Sequence, residues 1–311
     1  MAGKVKVQPA SSAGLAPLVE MAEHLRAAIP GWEDALKSTM RPKSSSDLAC
    51  DLAHLARHDG DGFLVASIGD EVIGFASCYV RSRLLLLPQL WVLPEHIDQP
   101  VTETLVRKAL AFGERSGAQE FAALGIGHPP LMALLFRFGL RPRFPVFRLT
   151  LPREAARRVG LELARMLPGH ELTREAVTSR TGMADIDRLD RLVRGVSRPM
   201  DHEYWLTSRQ LRLVTIREGQ RVAAYACGGA GQCGPVVAST GEAALAGLGW
   251  ALQLAADSGD ERVEVLIPAP FESGIEHLLD GGAQCRAIAQ WMTRQPTGAA
   301  DRFVLPSATL L

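Results

Sequence analysis

Two periods of apolar and polar positions alternate along the first half of the chain. "GLAPLVEMAEHLRAAI" (14–29) and "SSSDLACDLAHLARH" (44–58) carry apolar residues at helical spacing, the second behind Ser and Asp cap candidates. "GFLVASIGDEVIGFASCYV" (62–80) predicts two strands about a Gly69–Asp70 turn, and "LLLLPQLWV" (84–92) predicts a third. In "VTETLVRKALAFGERSGA" (101–118), Val101, Leu105, Ala109 and Phe112 share one helix face, with Val106 and Leu110 beside them, and Gly117 ends the helix. "EFAALGI" (120–126) predicts a strand, "PPLMALLFRFG" (129–139) a helix opened by proline, and "FPVFRLTL" (144–151) a closing strand.

The second half repeats this plan. "VIGFASC" (72–78) aligns with "VAAYACG" (222–228) at an offset of 150, and "SGAQEFAAL" (116–124) with "SGDERVEVL" (258–266) at an offset of 142. "LLFRFG" (134–139) is answered by "LLDGG" (278–282). Matches in one order with nearly constant offsets indicate duplication of a single α/β unit. The expected domains are therefore 1–151 and 169–311, joined by a basic linker helix over 152–168 that begins in "LPREAARRVG".

Composition refines this picture. A chain of 311 residues with 47% hydrophobic content is long enough for two cores. Lys+Arg and Asp+Glu both total 34, so no overall field favours nucleic acid, a membrane or an acidic substrate. Eight arginines nevertheless crowd 137–165 (137, 141, 143, 148, 153, 157, 158 and 165) against Glu154 and Glu162 alone. Such a run suits an RNA backbone or a solvated helix and strand face. Five cysteines without a CxxC fit a reducing cytoplasm with buried thiols. "MAGKVKVQPASSAG" has no apolar stretch of the signal-peptide kind, and "LLLLPQLWVL" is too short and proline-broken to span a bilayer, so a cytoplasmic protein is expected. His54 and His58 lie four apart near Asp51 and Asp61 but lack a clear third ligand, so no metal site is expected. Gly229, Gly231 and Gly234 fit a dinucleotide pattern, yet a strand follows them, which predicts a hairpin turn.

The order of elements in each half, with the strand–"LPE"–helix of 90–110, resembles the GNAT acyltransferase superfamily over nearly the whole chain as a tandem pair. "PMDHEYWL" (199–206), "CGPVVAS" (233–239) and "VLPSATLL" (304–311) are similar to the second half of tandem GNAT proteins. The resemblance implies an α/β fold (an α+β mixed sheet splayed in its middle) in two tandem domains. In that family an acyl-CoA slots between the parted strands, its pyrophosphate on amides at a helix N-terminus.

The departures from the family pattern shape the functional expectation. After a similar "V-x-P-E" the family continues Arg/Gln-x-x-Gly-x-Gly/Ala. Here stand Ile97, Asp98, Gln99, Pro100, Val101 and Thr102, and "STGEAALAG" (239–247) in the second half also lacks the pattern. Pro100 lacks an amide donor and Asp98 repels phosphate. Leu135 stands where the family often places a tyrosine acid, and His128 where an asparagine is common. The resemblance thus implies an acyltransferase forming an amide on a small-molecule amine in specialised bacterial metabolism, with no tightly bound cofactor. The donor is aminoacyl-tRNA, with Arg157 and Arg158 contacting tRNA, or acetyl-CoA held by a degenerate loop. A non-catalytic small-ligand-binding pair is the other reading. Backbone amides of Trp91, Val92 and Leu93 are the expected carbonyl polarisers. Glu95, His128, Asp201, His202 and Tyr204 are the candidates for proton transfer. Each has a structural counterpart reading: a helix-approach loop for Glu95, a turn for His128, and a helix start with Trp205 buried for 199–206.

Overall fold

A glycine turn and a proline set the layout of the first sheet. In the computed structural model, which describes residues 5–10, 14–27, 45–97, 100–126, 129–166, 171–173, 180–307 and 309–311, strands β2 (Phe63–Ile68) and β3 (Glu71–Arg81) form the expected hairpin. Gly69 at its tip has φ +60°, a conformation that costs glycine little. β4 (Leu84–Val92) pairs antiparallel with β3, but the register shifts where Ser77↔Gln89 gives way to Tyr79↔Leu86. Pro88, which has no N–H to donate, falls in this irregular stretch.

The chain divides into two compact units: residues 1–143 with 289–296 and Leu310, and residues 144–288 with 297–309 and Leu311. In the first unit, β1 (Val5–Pro9), β2, β3, β4, β5 (Glu120–Ile126) and residues 289–293 follow one another across the sheet. All neighbours are antiparallel except β4 and β5. One sheet face packs on α3 (Pro100–Arg115), through Val101, Leu105, Val106, Ala109 and Phe112, as the periodicity predicts. α4 (Pro129–Arg137) buries Leu135 there. The other face buries Phe63 and Phe75 against α1 (Leu15–Ala27) and α2 (Ser45–His58).

The second unit repeats the order. β7 (Glu171–Thr173), β8 (Arg212–Glu218), β9 (Arg221–Gly229), β10 (Gln232–Ala238) and β11 (Arg262–Pro268) run across its sheet, which ends with β6 (Arg141–Pro152) beside β11. α6 (Arg180–Arg194), α7 (Pro199–Thr207), α8 (Gly241–Ala256) and α9 (Glu272–Asp280) complete it. Both aligned heptapeptides lie on the second strand of their hairpins, β3 and β9. The glycine trio is the predicted β9–β10 turn, with Gly231 at φ +66°.

The two closing strands are exchanged. Residues 144–151, expected to close the first half, pair with β11, and 289–293 of β12 (Gln284–Thr293) pair with β5. Either strand can supply the alternating apolar face that a sheet edge accepts, so local pattern does not say which edge it joins. α5 (Arg153–Ala164), expected as a linker helix, packs on α8 inside the second unit. A Cβ on Gly249 would meet Ala164 N at 2.6 Å and Gly160 O at 2.8 Å, so the helices cross at bare backbone. Gly249→Val is predicted to cost about 1–3 kcal/mol through overpacking. A denaturation midpoint unchanged in urea would show that the crossing has slack.

Candidate functional site

β4 and β5 run side by side only from Leu84↔Glu120 to Leu87↔Ala123. Beyond Leu87, β4 stays with β3 as far as Gly74↔Val92, while β5 stays with 289–293 as far as Ile126↔Ala289. The two parallel strands therefore part toward their C-terminal ends, and no strand among the described residues pairs into the opening. Successive amides of a strand point to opposite neighbours. Leu93 N donates to Ile73 O at 3.0 Å, so Leu93 and, two residues back, Trp91 face β3. Leu90 and Val92 then present their N–H groups to the opening. This corrects the expectation that Trp91 and Leu93 polarise a carbonyl, because their amides are turned to β3. It adds Leu90, which the sequence reading missed since register cannot be read from composition.

Ser77 Oγ donates to Gln89 Oε1 at 3.3 Å, and both residues are buried. Gln89 and Trp91 are two apart on the strand and share the face toward α1 and α2, where Trp91 packs. Pro94–His96 form a single 3₁₀ turn at the open end, with Glu95 exposed. His96 Nδ1 is buried and makes no hydrogen bond among the described residues. His128, Asp98 and Gln99 lie outside the described residues. Pro100 is the first residue of α3, a position where its missing N–H would have had no helical partner. It therefore costs α3 no hydrogen bond, and Val101, Thr102 and Glu103 still have amides in the first turn. Leu135 is buried in the core.

The residues 199–206 form α7, the helix of their structural reading, and their polar groups turn inward. Asp201, His202 and Tyr204 are all buried, with Trp205 beside them. His202 Nε2 lies 2.7 Å from Asp190 Oδ2, and Tyr225 donates to Asp190 Oδ1 at 2.7 Å. Arg198, 1% exposed, is ion-paired with Asp201 at 3.7 Å and stacks 4.5 Å from the Trp205 ring centroid. Burial alone would raise the Asp190 pKa, but the His202 hydrogen bond and the charges of His202, Arg198 and Arg194 hold it below the usual carboxylate value. Burial, then the Asp190 charge, pushes Tyr225 well above the usual phenol value. Asp190 is engaged on both oxygens inside a core, whereas the three guanidinium nitrogens of Arg198 and His202 Nδ1 are buried without a hydrogen-bond partner among the described residues.

Several arginines of the run bond within their own chain, with Arg157 and Arg158 exposed. Arg148 forms a half-buried pair with Glu264 at 2.5 Å, and Arg143 Nη2 donates to Arg294 O at 2.7 Å. Arg157 pairs with Asp257 at 3.1 Å, and Arg158 donates to Gly281 O at 3.3 Å. The cysteines are free; Cys78, Cys227 and Cys233 are buried, which raises their thiol pKa values, while Cys50 and Cys285 are exposed. Among the described residues no group of three or more His, Cys, Asp or Glu is placed to hold a metal ion. No helix among them is long and apolar enough to cross a membrane.

Residues 27–139, which contain the parted strands, match the Acetyltransferase (GNAT) family model. This segment of the first unit is similar to the GNAT family. Solved structures extend the likeness of fold across both units. A putative acetyltransferase from Pyrococcus horikoshii is 13% identical, with a TM-score of 0.72 over 99% of this chain and 96% of that one. A GCN5-related N-acetyltransferase from Sphaerobacter thermophilus is also 13% identical, with a TM-score of 0.61 over 94% and 96%. A tandem GNAT protein from the clavulanic acid biosynthesis pathway is 13% identical, with a TM-score of 0.54 over 94% of this chain and all of that one. No curated protein sequence matches the chain.

The Asp190 cluster yields a prediction with a definite sign. A carboxyl whose folded pKa is lowered stabilises above its unfolded pKa of roughly 4, and that stability is lost as pH falls through the folded value. Asp190→Asn should therefore cost about 3–5 kcal/mol at neutral pH, as expected when one partner of a buried pair is removed. It should also flatten the acid limb of stability below about pH 4. Denaturant titrations at several pH values check this; equal stability of variant and parent at pH 7 would contradict the cluster's structural role.

Proposed function

We propose that the chain transfers an acyl group from an acyl-CoA thioester to a small-molecule amine, with the first unit as the working half. The observation that carries this reading is the opening between β4 and β5, whose β4 edge offers the N–H groups of Leu90 and Val92 inside the family-matched segment. An extended donor laid along that edge brings its thioester carbonyl to these amides. Hydrogen bonds to the carbonyl strengthen as negative charge builds on its oxygen during amine attack. The C–N bond forms, the C–S bond breaks, and the proton shed by the new amide nitrogen passes through solvent to the leaving thiolate. Glu95, exposed on the turn after β4, accepts the proton that the incoming ammonium must lose. Acyl-CoA is preferred to aminoacyl-tRNA because the opening lies inside the segment that matches the acetyltransferase family.

Two outcomes follow. Val92→Pro deletes one N–H that faces the opening without touching the β3 ladder, and a proline is tolerated on such an edge. It should lower kcat about 10²–10³-fold in a thiol-release assay with a reactive amine, the cost typical of one oxyanion donor. Loss below about threefold would remove Val92 from this role. Replacing both Arg157 and Arg158 with alanine should leave turnover unchanged; salt-sensitive tRNA binding that this double variant weakens would restore the aminoacyl-tRNA donor.

A further inference from the structure

The two units part their parallel strands at equivalent residues and fill the opening differently. In the second unit β10 and β11 pair only at Gln232↔Glu264 and Cys233↔Val265. Cys233 and Val265 correspond to Leu87 and Ala123, the last pair between β4 and β5, at offsets of 146 and 142. The register against the neighbouring strand agrees: Ser239 N donates to Ala223 O at 2.8 Å, as Leu93 N does to Ile73 O at 3.0 Å. Alternation then makes Val236 and Ala238 the counterparts of Leu90 and Val92, facing away from β9.

Val236 does not face an opening. β13 (Phe303–Val304) lies against it antiparallel, with Val236↔Val304 and Val237↔Phe303 in register. On the far side Leu305 N donates to Leu266 O at 2.9 Å, which joins the same segment to β11. Residues 303–305 are thus a short strap seated between the parted strands, and all three side chains are buried. A glycine makes room for it: Gly234, at φ +126°, would with a Cβ strike Leu305 O at 2.5 Å. Arg302 anchors the strap by donating to Ser239 O at 2.8 Å, and Ala299 N donates to Val193 O at 2.7 Å. The helix that follows β10 is closed as well. Thr240 caps α8 by accepting from Ala243 N at 3.2 Å, which occupies an amide an anion would need.

We propose that residues 303–305 stand in the second unit where a donor's extended arm lies in the first, so the chain has one donor site, between β4 and β5. This rests on the acyl-CoA reading of the first unit. Backbone edges exposed by parted strands need partners, and the second unit supplies them from its own chain. The second unit then works as a folded partner whose donor slot is closed by a strand.

The test is calorimetric titration of the full chain with acetyl-CoA, read together with hydrogen exchange on the same samples. One site per chain is expected, with exchange slowed by acetyl-CoA at 88–93 and unchanged at 233–239 and 303–305. Two sites, or one site whose binding slows 233–239, would overturn the strap assignment while keeping the acyl-CoA reading. No binding at all would overturn the acyl-CoA reading, and exchange of the unliganded chain would then judge the strap. A Leu305 amide as slow as the β9 amides supports it; a Leu305 amide exchanging as fast as open chain overturns it.

Discussion

Parallel strands that separate partway along their length leave a row of N–H and C=O groups without partners, and everything specific to this protein follows from that. A buried backbone group left unpaired costs roughly 1–3 kcal/mol, so a parted sheet is stable only if solvent, ligand or chain fills the wedge. β4 and β5 part after Leu87↔Ala123. The irregular register near Pro88 lets β4 keep its bonds to β3 while leaving β5. The wedge exists because both outer neighbours, β3 and residues 289–293, hold their strands more fully than the strands hold each other.

Duplication gave the chain two such wedges and two ways to satisfy them. In the second unit the strap lies between β10 and β11, a glycine at 234 admits it, and Thr240 closes the neighbouring helix. In the first unit the edge of β4 keeps its Leu90 and Val92 amides for something else. The buried Asp190, His202, Tyr225 and Arg198 belong to the same division of labour. Asp190 ties α6 to α7 through His202 and to β9 through Tyr225, and Arg198 pairs with Asp201 beside them.

Much of the framework was legible in the sequence, because it is written in local periodicity. The hairpins at 62–80 and 221–238, the amphipathic helix at 100–115 and the duplication itself all came from spacing and order. What was not legible depends on partners distant in sequence. The exchange of closing strands is a choice between two edges that accept the same apolar alternation. Which β4 amides face outward depends on register, so Trp91 and Leu93 looked as suitable as Val92, and Leu90 went unnoticed. The strap is two residues of strand whose meaning lies wholly in its position between β10 and β11. Asp201, His202 and Tyr204 looked chemical because density of polar groups marks a site and a buried network equally well. Only burial separates the two.

The most direct test follows amide resonances of selectively ¹⁵N-labelled chain during titration with acetyl-CoA. The account predicts large shifts for Leu90 and Val92, whose N–H groups meet the donor, and small ones for Trp91 and Leu93, which remain bonded to β3. Shifts of equal size at all four, or none at Leu90 and Val92 while acetyl-CoA binds elsewhere, would contradict it.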